Sequence, residues 1–253
     1  MVRVAPLLAL VAFLAAYYAG SESLPDLGLW GDVAFVGFAL LPATFLAVWL
    51  ALPLRWELEA KRLAWVVVGL AALTVALDFG GFEVAANFTK FATVVCAGWW
   101  FLQFFEAVSW VLLVALLIVP VDIFSVARGP TKVIVEQQPQ IFDALSIGFP
   151  IPGERNSAQL GLPDVLFFAL FLAAAERFGL RVFRTWVAMA LSFGTTLALA
   201  VWWDVSGLPA LPLLSLGFVL VNVDLLWREW RSRGLGLRGS RESDPPAPPT
   251  SGA

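Results

Sequence analysis

Long apolar runs separated by short polar segments recur from one end of the 253-residue chain to the other. A helix that crosses a bilayer needs about 20 predominantly apolar residues. Counted in this way, the pattern predicts eight helices, at residues 4–19, 33–53, 63–79, 84–102, 105–126, 163–179, 184–202 and 209–227. The sequence therefore predicts an all-α membrane protein, a polytopic bundle of about eight or nine transmembrane helices.

Two of these helices depend on a choice between alternatives. Residues 4–19 are typical either of a retained first helix or of a signal peptide, because small residues follow the apolar run, and we favour the retained helix. The apolar region 83–126 is too long for one helix, so we divide it near Gln103-Glu106. Lys90 lies inside the resulting fourth helix, and we expect it to extend toward the interface or to pair with Asp78 or Glu83.

The polar connections differ in character. The segment from Ser21 to Asp32 is acidic and rich in turn residues, with no Lys or Arg. The hydrophilic loop 127–161 is the longest connection between predicted helices. Its β-branched part, 131–136, predicts a short strand, whereas Pro150, Pro152 and Gly153 predict irregular structure in its second part.

Charge sets the expected orientation. Basic residues concentrate after the second and sixth helices and in the C-terminal tail, which predicts that both termini are cytoplasmic and that the chain is a multi-pass protein of the cell membrane. We divide the chain into N-terminal helices (1–114), a catalytic-type region (115–230) and a disordered basic, Pro-rich tail (231–253). The tail is suited to contact with anionic membrane lipids. No basic domain indicates a nucleic-acid partner.

Composition narrows the chemistry. The chain has no histidine and a single cysteine, Cys96, which excludes Ser-His-Asp and Cys-His catalysis, His-ligated zinc and internal disulfides. We expect no metal in the candidate site and no cofactor. Carboxylates, amines, hydroxyls and the backbone remain available.

Three features converge on one membrane face. Asp122 ends the fifth predicted helix, Asp164 begins the sixth, and Pro209-Ala210-Leu211-Pro212 begins the eighth. Because successive helices alternate in direction, all three fall on the same side. A carboxylate at membrane depth usually marks a functional site, and two prolines at a helix start leave backbone groups unpaired beside a cavity.

Four segments resemble motifs of the presenilin and signal peptide peptidase family of intramembrane aspartyl proteases. Val121-Asp122-Ile123-Phe124 resembles the Tyr-Asp motif, and 129–136 resembles the segment that follows it in presenilins. Leu160-Gly161-Leu162-Pro163-Asp164 resembles the Gly-x-Gly-Asp motif, and Leu208-Pro209-Ala210-Leu211-Pro212 resembles the Pro-Ala-Leu motif. The resemblance covers about 115–227, and the first four helices match the family only in being hydrophobic.

The resemblance implies a presenilin-like fold in a small, prokaryote-like member, with Asp122 and Asp164 as the catalytic pair. Implied substrate-binding residues are Gly161, Leu162, Pro163, Leu208, Pro209, Ala210, Leu211, Val133 and Val135. Strand 131–136 and the backbone of 208–211 are expected to pair with an unwound substrate. Two residues depart from the family pattern, since Val121 replaces a tyrosine and Pro163 replaces a glycine. The family also usually has nine spans.

The function predicted from the sequence is hydrolysis of peptide bonds within transmembrane segments. In this mechanism two aspartates share a proton and activate a water molecule. The expected partners are transmembrane helices of substrate proteins or signal peptides. Two alternatives remain open: a catalytically silent member of the family that binds membrane helices, suggested by Pro163, and a small proton- or cation-coupled transporter with both aspartates in broken helices.

Overall fold

The computed structural model describes residues 4–57, 59–128, 143–205 and 208–239, and most of them are helical. The helices are α1 Val4–Gly20, α2 Leu29–Phe35, α3 Leu41–Ala51, α4 Ala60–Phe79, α5 Glu83–Leu102, α6 Val108–Arg128, α7 Leu162–Arg177, α8 Val182–Trp202 and α9 Leu211–Gly239. Short 3-10 turns at Ser21–Ser23 and Leu52–Glu57 follow α1 and α3. Strands β1 (Ser146–Pro150) and β2 (Ser157–Gly161) form one antiparallel hairpin directly before α7.

The apolar pattern is confirmed as that of a helical membrane protein. Within the described part of the chain, six helical segments are long and apolar enough to cross a bilayer: Val4–Ser23, Leu29–Arg55, Ala60–Phe79, Val108–Val126, Val182–Trp202 and Leu211–Glu229. Helices also lie at the remaining two predicted positions, as α5 and α7, and the predicted break between the fourth and fifth helices falls between Leu102 and Val108. How many helices cross the membrane stays a prediction.

The second predicted helix starts four residues early. It begins at Leu29 rather than at residue 33 and continues through a π-helical turn, Val36–Leu40, into α3. Pro42 lacks an amide hydrogen, and the wider turn before it keeps the helix continuous instead of interrupting it. The early start places Asp32 in the first helical turn, where its side chain is buried.

The core of the bundle is built around α7. Residues 168–175 of this helix are all buried. The ring of Phe168 stacks on Phe45 of α3, with centroids 4.0 Å apart, and Phe45 stacks on Phe193 of α8 at 4.9 Å. On the opposite side α5 approaches so closely that a Cβ on Gly98 would lie 2.6 Å from the carbonyl oxygen of Leu166. Helix α7 is therefore enclosed by α3, α5 and α8.

The loop between the fifth and sixth predicted helices has more order than its composition indicated. The expectation of irregular structure holds at Pro152 and Gly153, which lie in the turn between the strands, and is wrong at Pro150, which pairs with Ser157 in the hairpin. The prolines are compatible with it because Pro150 ends β1, where its missing amide hydrogen faces away from β2. The predicted strand 131–136, with Val133 and Val135, lies outside the described residues.

Candidate functional site

Asp122 connects α6 to the start of α9. It follows Pro120, which lies inside α6, and its side chain is half-buried. The Oδ2 atom accepts a hydrogen bond from the backbone N–H of Leu211 at 3.1 Å. Leu211 is the first residue of α9, so its amide has no carbonyl partner inside the helix. A carboxylate from one helix therefore caps another, 89 residues further along the chain.

Asp164 lies in the first turn of α7 and is half-buried. Its Oδ2 atom packs against the backbone of Gly161, where a Cβ would come within 3.2 Å of it. Helices α6 and α7 touch, and the charge of Asp122 acts electrostatically on the Asp164 carboxyl. The structure thus brings together the two predicted aspartates and the backbone of Leu211.

Helix α7 is shorter than the hydrocarbon layer of a bilayer is thick. Its 16 residues extend about 24 Å at 1.5 Å per residue, which is shorter than the roughly 30 Å of bilayer hydrocarbon. Polar contacts fix its other end: Glu176 pairs with the buried Arg55 at 3.0 Å, and Arg177 donates to the carbonyl of Leu102 at 2.9 Å. These contacts fix the Arg177 end of α7, and Asp164 lies in the first turn at its other end.

The outer edge of β1 is held by side chains from α1 and α5. Two hydrogen bonds, from Leu162 N–H to Leu145 O and from Ile151 N–H to Asn156 O, show which residues of the hairpin bond across it. Because bonded and non-bonded residues alternate along an antiparallel strand, Ser146, Gly148 and Pro150 direct their backbone groups away from β2.

Three side chains meet those groups. Asn87 accepts from the Gly148 amide at 3.1 Å and donates to its carbonyl at 2.9 Å. Lys90 donates to Ser146 O at 3.1 Å, and the Tyr17 hydroxyl donates to Pro150 O at 2.6 Å.

Within the described residues, no strand pairs with the outer edge of β2. By the same alternation, Ser157, Gln159 and Gly161 direct their backbone groups away from β1. Among the described residues, no backbone hydrogen bond joins Ser157 or Gln159 to an element outside the hairpin. This edge leads directly to Gly161 and Asp164. In the part of the chain that the structure describes, no strand pairs with this edge beside Asp164, and an extended peptide can add to such a surface.

The remaining predicted site residues differ in how exposed they are. Leu162 and Pro163 form the start of α7, with Pro163 exposed; Ala210 is buried, and Leu208 and Pro209 are half-buried. Val121, which stands where the family has tyrosine, is 64% exposed on the surface of α6. Val133 and Val135 lie outside the described residues.

Sequence reasoning missed the residues that hold the hairpin. The expected pairing of Lys90 with Asp78 or Glu83 is wrong, because its ammonium group donates to the carbonyls of Asp143 and Ser146. Asn87 was not singled out at all. A signal was present, since Asn87 and Lys90 stand three residues apart in a mostly apolar helix and therefore share one face.

The comparisons with known proteins add no assignment. No protein-family model matches this chain, and neither the curated proteins nor the solved structures include a significant match to it.

Proposed function

We propose that this chain is an intramembrane aspartyl protease of the kind found in the presenilin and signal peptide peptidase family. The observation that carries the proposal is the bond between Asp122 and the Leu211 backbone, with Asp164 on a helix that touches the helix of Asp122. A single aspartate at a helix end is often a cap. Two aspartates on touching helices, beside a strand edge that no described strand pairs with, support a catalytic pair.

The chemistry follows from the pair. Two neighbouring carboxylates do not both ionise cheaply, so they hold one proton between them. The ionised member removes a proton from a bound water molecule, which attacks the carbonyl carbon of the peptide bond while the protonated member polarises its oxygen. Collapse of the tetrahedral intermediate breaks the C–N bond, and the leaving amine takes a proton. Because one group must be charged and the other neutral, the rate should have a bell-shaped dependence on pH.

The substrate class follows from membrane depth. A transmembrane helix hides its peptide bonds, and a segment unwound there needs new hydrogen-bond partners. The open edge of β2 supplies backbone donors and acceptors at Ser157 and Gln159, next to Gly161. In the proposal the unwound segment adds to β2 as a third strand, which places its peptide bond before Asp122 and Asp164.

Strand addition has a sharp test. The N–H of Gln159 faces the open edge, whereas that of Ala158 faces β1, so Gln159→Pro should remove a donor for substrate and leave the hairpin ladder intact. Gln159→Pro also loses the side-chain hydrogen bonds of Gln159 with Ser146 and Ser157, so it is compared with Gln159→Ala, which loses the same bonds but keeps the N–H. Gln159→Pro should cleave more slowly than Gln159→Ala at a similar thermal stability. Ala158→Pro is the matched variant and should destabilise the hairpin itself. Unchanged cleavage by Gln159→Pro would contradict strand addition here.

The second candidate function is that of a catalytically silent relative, and Pro163 is the residue that suggests it. Proline replaces the glycine that the family has before the second aspartate. In this chain Pro163 occupies the first turn of α7, where a missing amide hydrogen costs no helical bond. Gly161 is retained, and it is this residue that packs against Asp164. These contacts support an active pair.

The deciding experiment is a cleavage assay with purified protein in liposomes and a generic transmembrane peptide. Asp122→Asn and Asp164→Asn keep the side-chain shape and remove the charge. Asp78→Asn is the matched control, because Asp78 is an exposed carboxylate at the end of α4. Cleavage that is lost in the first two variants only would establish the protease.

Other outcomes separate the alternatives. Peptide binding without cleavage would support the silent relative, and cleavage gained by Pro163→Gly would identify the proline as the cause. Proton-coupled uptake into the liposomes would favour the transporter. The proposal also includes the cell membrane as the location and a cytoplasmic C-terminal tail, which tail-specific proteolysis of intact cells and inverted vesicles would test.

A further inference from the structure

A second group of carboxylates lies at the tip of the hairpin. Asp26 comes from the loop between α1 and α2, Asp32 from the first turn of α2, and Glu154 from the turn between β1 and β2. One carboxylate oxygen from each of the three lies within 4.8 Å of the other two. Asp26 and Asp32 are only six residues apart, whereas Glu154 is distant in sequence and is brought to them by the fold.

The decisive member of the group is Asp32. Its side chain is only 8% exposed, and its buried Oδ1 atom has no hydrogen-bond partner among the described residues. Within the same residues no Lys or Arg forms an ion pair with any of the three carboxylates. A buried, unpartnered carboxylate beside two others is costly unless a cation neutralises them.

The backbone around the group is fixed by contacts of its own. The amide of Gly28 donates to Asp26 Oδ1 at 2.6 Å, and the amide of Gly153 donates to the carbonyl of Ser21 at 2.9 Å. Gly153 has a φ of +75°, and a Cβ there would lie 2.7 Å from the amide nitrogen of Asp26. Only glycine allows this approach. The hairpin turn is thereby seated against the α1–α2 loop.

We propose that Asp26, Asp32 and Glu154 form a binding site for a divalent cation of the Ca²⁺ type. Two oxygens that each lie about 2.4 Å from a calcium ion are at most about 4.8 Å apart, and the oxygens of this group lie within that limit. Calcium takes oxygen ligands in flexible geometry from loops, whereas magnesium demands a tighter octahedron. The bound ion ties the hairpin tip to the α1–α2 loop. This role goes beyond the proposed proteolysis and is independent of it.

Direct binding tests the site. The whole protein, purified in detergent with a chelator and then freed of it, is titrated with CaCl₂ in a calorimeter. We expect saturable binding with a Kd of about 10⁻⁴–10⁻³ M, the range of extracellular calcium modules, and weaker binding of MgCl₂. Asp32→Asn and Glu154→Gln should abolish saturable binding. Glu22→Gln is the matched control, since Glu22 is exposed on the same loop outside the group, and it should bind as the unmodified protein does.

Thermal unfolding gives a second test, because the Tm difference between the unmodified protein and Asp32→Asn should change sign between calcium and chelator. Added calcium should raise the Tm of the unmodified protein and of Glu22→Gln, and leave that of Asp32→Asn unchanged. In chelator, Asp32→Asn should melt at or above the Tm of the unmodified protein, because the substitution removes charge repulsion among the three carboxylates. If Asp32→Asn fails to fold, Glu154→Gln carries the same test. No calcium-dependent heat or Tm shift in the unmodified protein, or equal shifts in all variants, would overturn the proposal.

Discussion

The two helices that carry the candidate aspartates are packed very differently. Helix α7, with Asp164, is enclosed, and residues 168–175 are all buried. Helix α6, with Asp122, lies at the surface, with large side chains such as Leu116, Val121 and Phe124 more than half exposed. It packs mainly along α9 and touches α7 only lightly. Asp164 lies on the enclosed helix, and Asp122 stands on a surface helix that packs mainly along one neighbour, α9.

This difference teaches how such a pair can be assembled. The rigid partner is positioned by the core and by the hairpin that precedes it. The peripheral partner is positioned by the hydrogen bond from Leu211 N–H to Asp122, together with apolar packing along α9. Helix α6 is less enclosed than α7, a difference that the proposed protease would use to admit a transmembrane segment from the side.

The largest expected effect comes from the carboxylates themselves. Asp122→Asn and Asp164→Asn should each reduce cleavage by about 10²–10⁴-fold or more, the usual contribution of a general acid or base. Asp122→Ala should lose as much activity and also the hydrogen bond from Leu211, worth about 0.5–1.5 kcal/mol, whereas Asp122→Asn keeps an acceptor. Cleavage rates and thermal unfolding of the three variants measure this. Equal stability of Asp122→Ala and Asp122→Asn would show that the bond does not hold α6.

A matched pair of phenylalanines tests the packing difference. Phe171 of α7 is fully buried and stacks on Phe218 with centroids 4.8 Å apart, whereas Phe124 of α6 is 65% exposed. Phe171→Ala should lower the free energy of unfolding by about 3 kcal/mol, mostly through the cavity that it leaves. Phe124→Ala should change it by less than about 0.5 kcal/mol. Denaturation in mixed micelles measures both, and similar losses would remove the contrast between the helices.

Glycines give a second matched pair at a smaller effect. A Cβ on Gly98 would meet backbone of α7 at 2.6 Å, whereas one on Gly69 of α4 meets nothing within 4 Å. Gly98→Ala should destabilise the protein by about 1–3 kcal/mol, because α5 and α7 must separate. Gly69→Ala should stabilise it by up to about 1 kcal/mol through helix propensity. The same sign of Tm shift for both variants would contradict the close approach.

The sequence allowed the helices to be predicted but not the hairpin, for physical reasons. Apolar runs of bilayer length have few alternatives to a helix, since every backbone group must be paired within the segment. The strands 146–150 and 157–161 carry glycine and proline and have weak intrinsic strand preference. They form because side chains from distant helices, such as Asn87 and Tyr17, complete the outer edge of β1.

The candidate site was predictable to a similar, partial extent. Alternation of helices placed Asp122, Asp164 and the start of α9 on one face, and the bond to Leu211 is consistent with that placement. The group formed by Asp26, Asp32 and Glu154 was not predictable, since only the contact between Gly153 and the α1–α2 loop brings Glu154 to the other two.

The last prediction concerns the most local effect, and it tests whether the hairpin makes the α7 side rigid. If the hairpin holds the start of α7, releasing β1 from α5 should loosen Gly161 and Asp164 while the core of the bundle persists. Asn87→Ala removes both hydrogen bonds to Gly148, and at about 0.5–1.5 kcal/mol each the local opening free energy should fall by about 1–3 kcal/mol. Hydrogen exchange should therefore quicken across the hairpin and leave residues 168–175 protected.

Thr89→Ala is the matched control for that experiment, because Thr89 lies on the same helix and its hydroxyl bonds only to its own helix, at the carbonyls of Ala85 and Ala86. Faster exchange that also reaches residues 168–175 would mean that the hairpin and the core open as one unit. In that case the fixed carboxylate is held by the whole bundle, and the contrast with α6 arises from α6 alone.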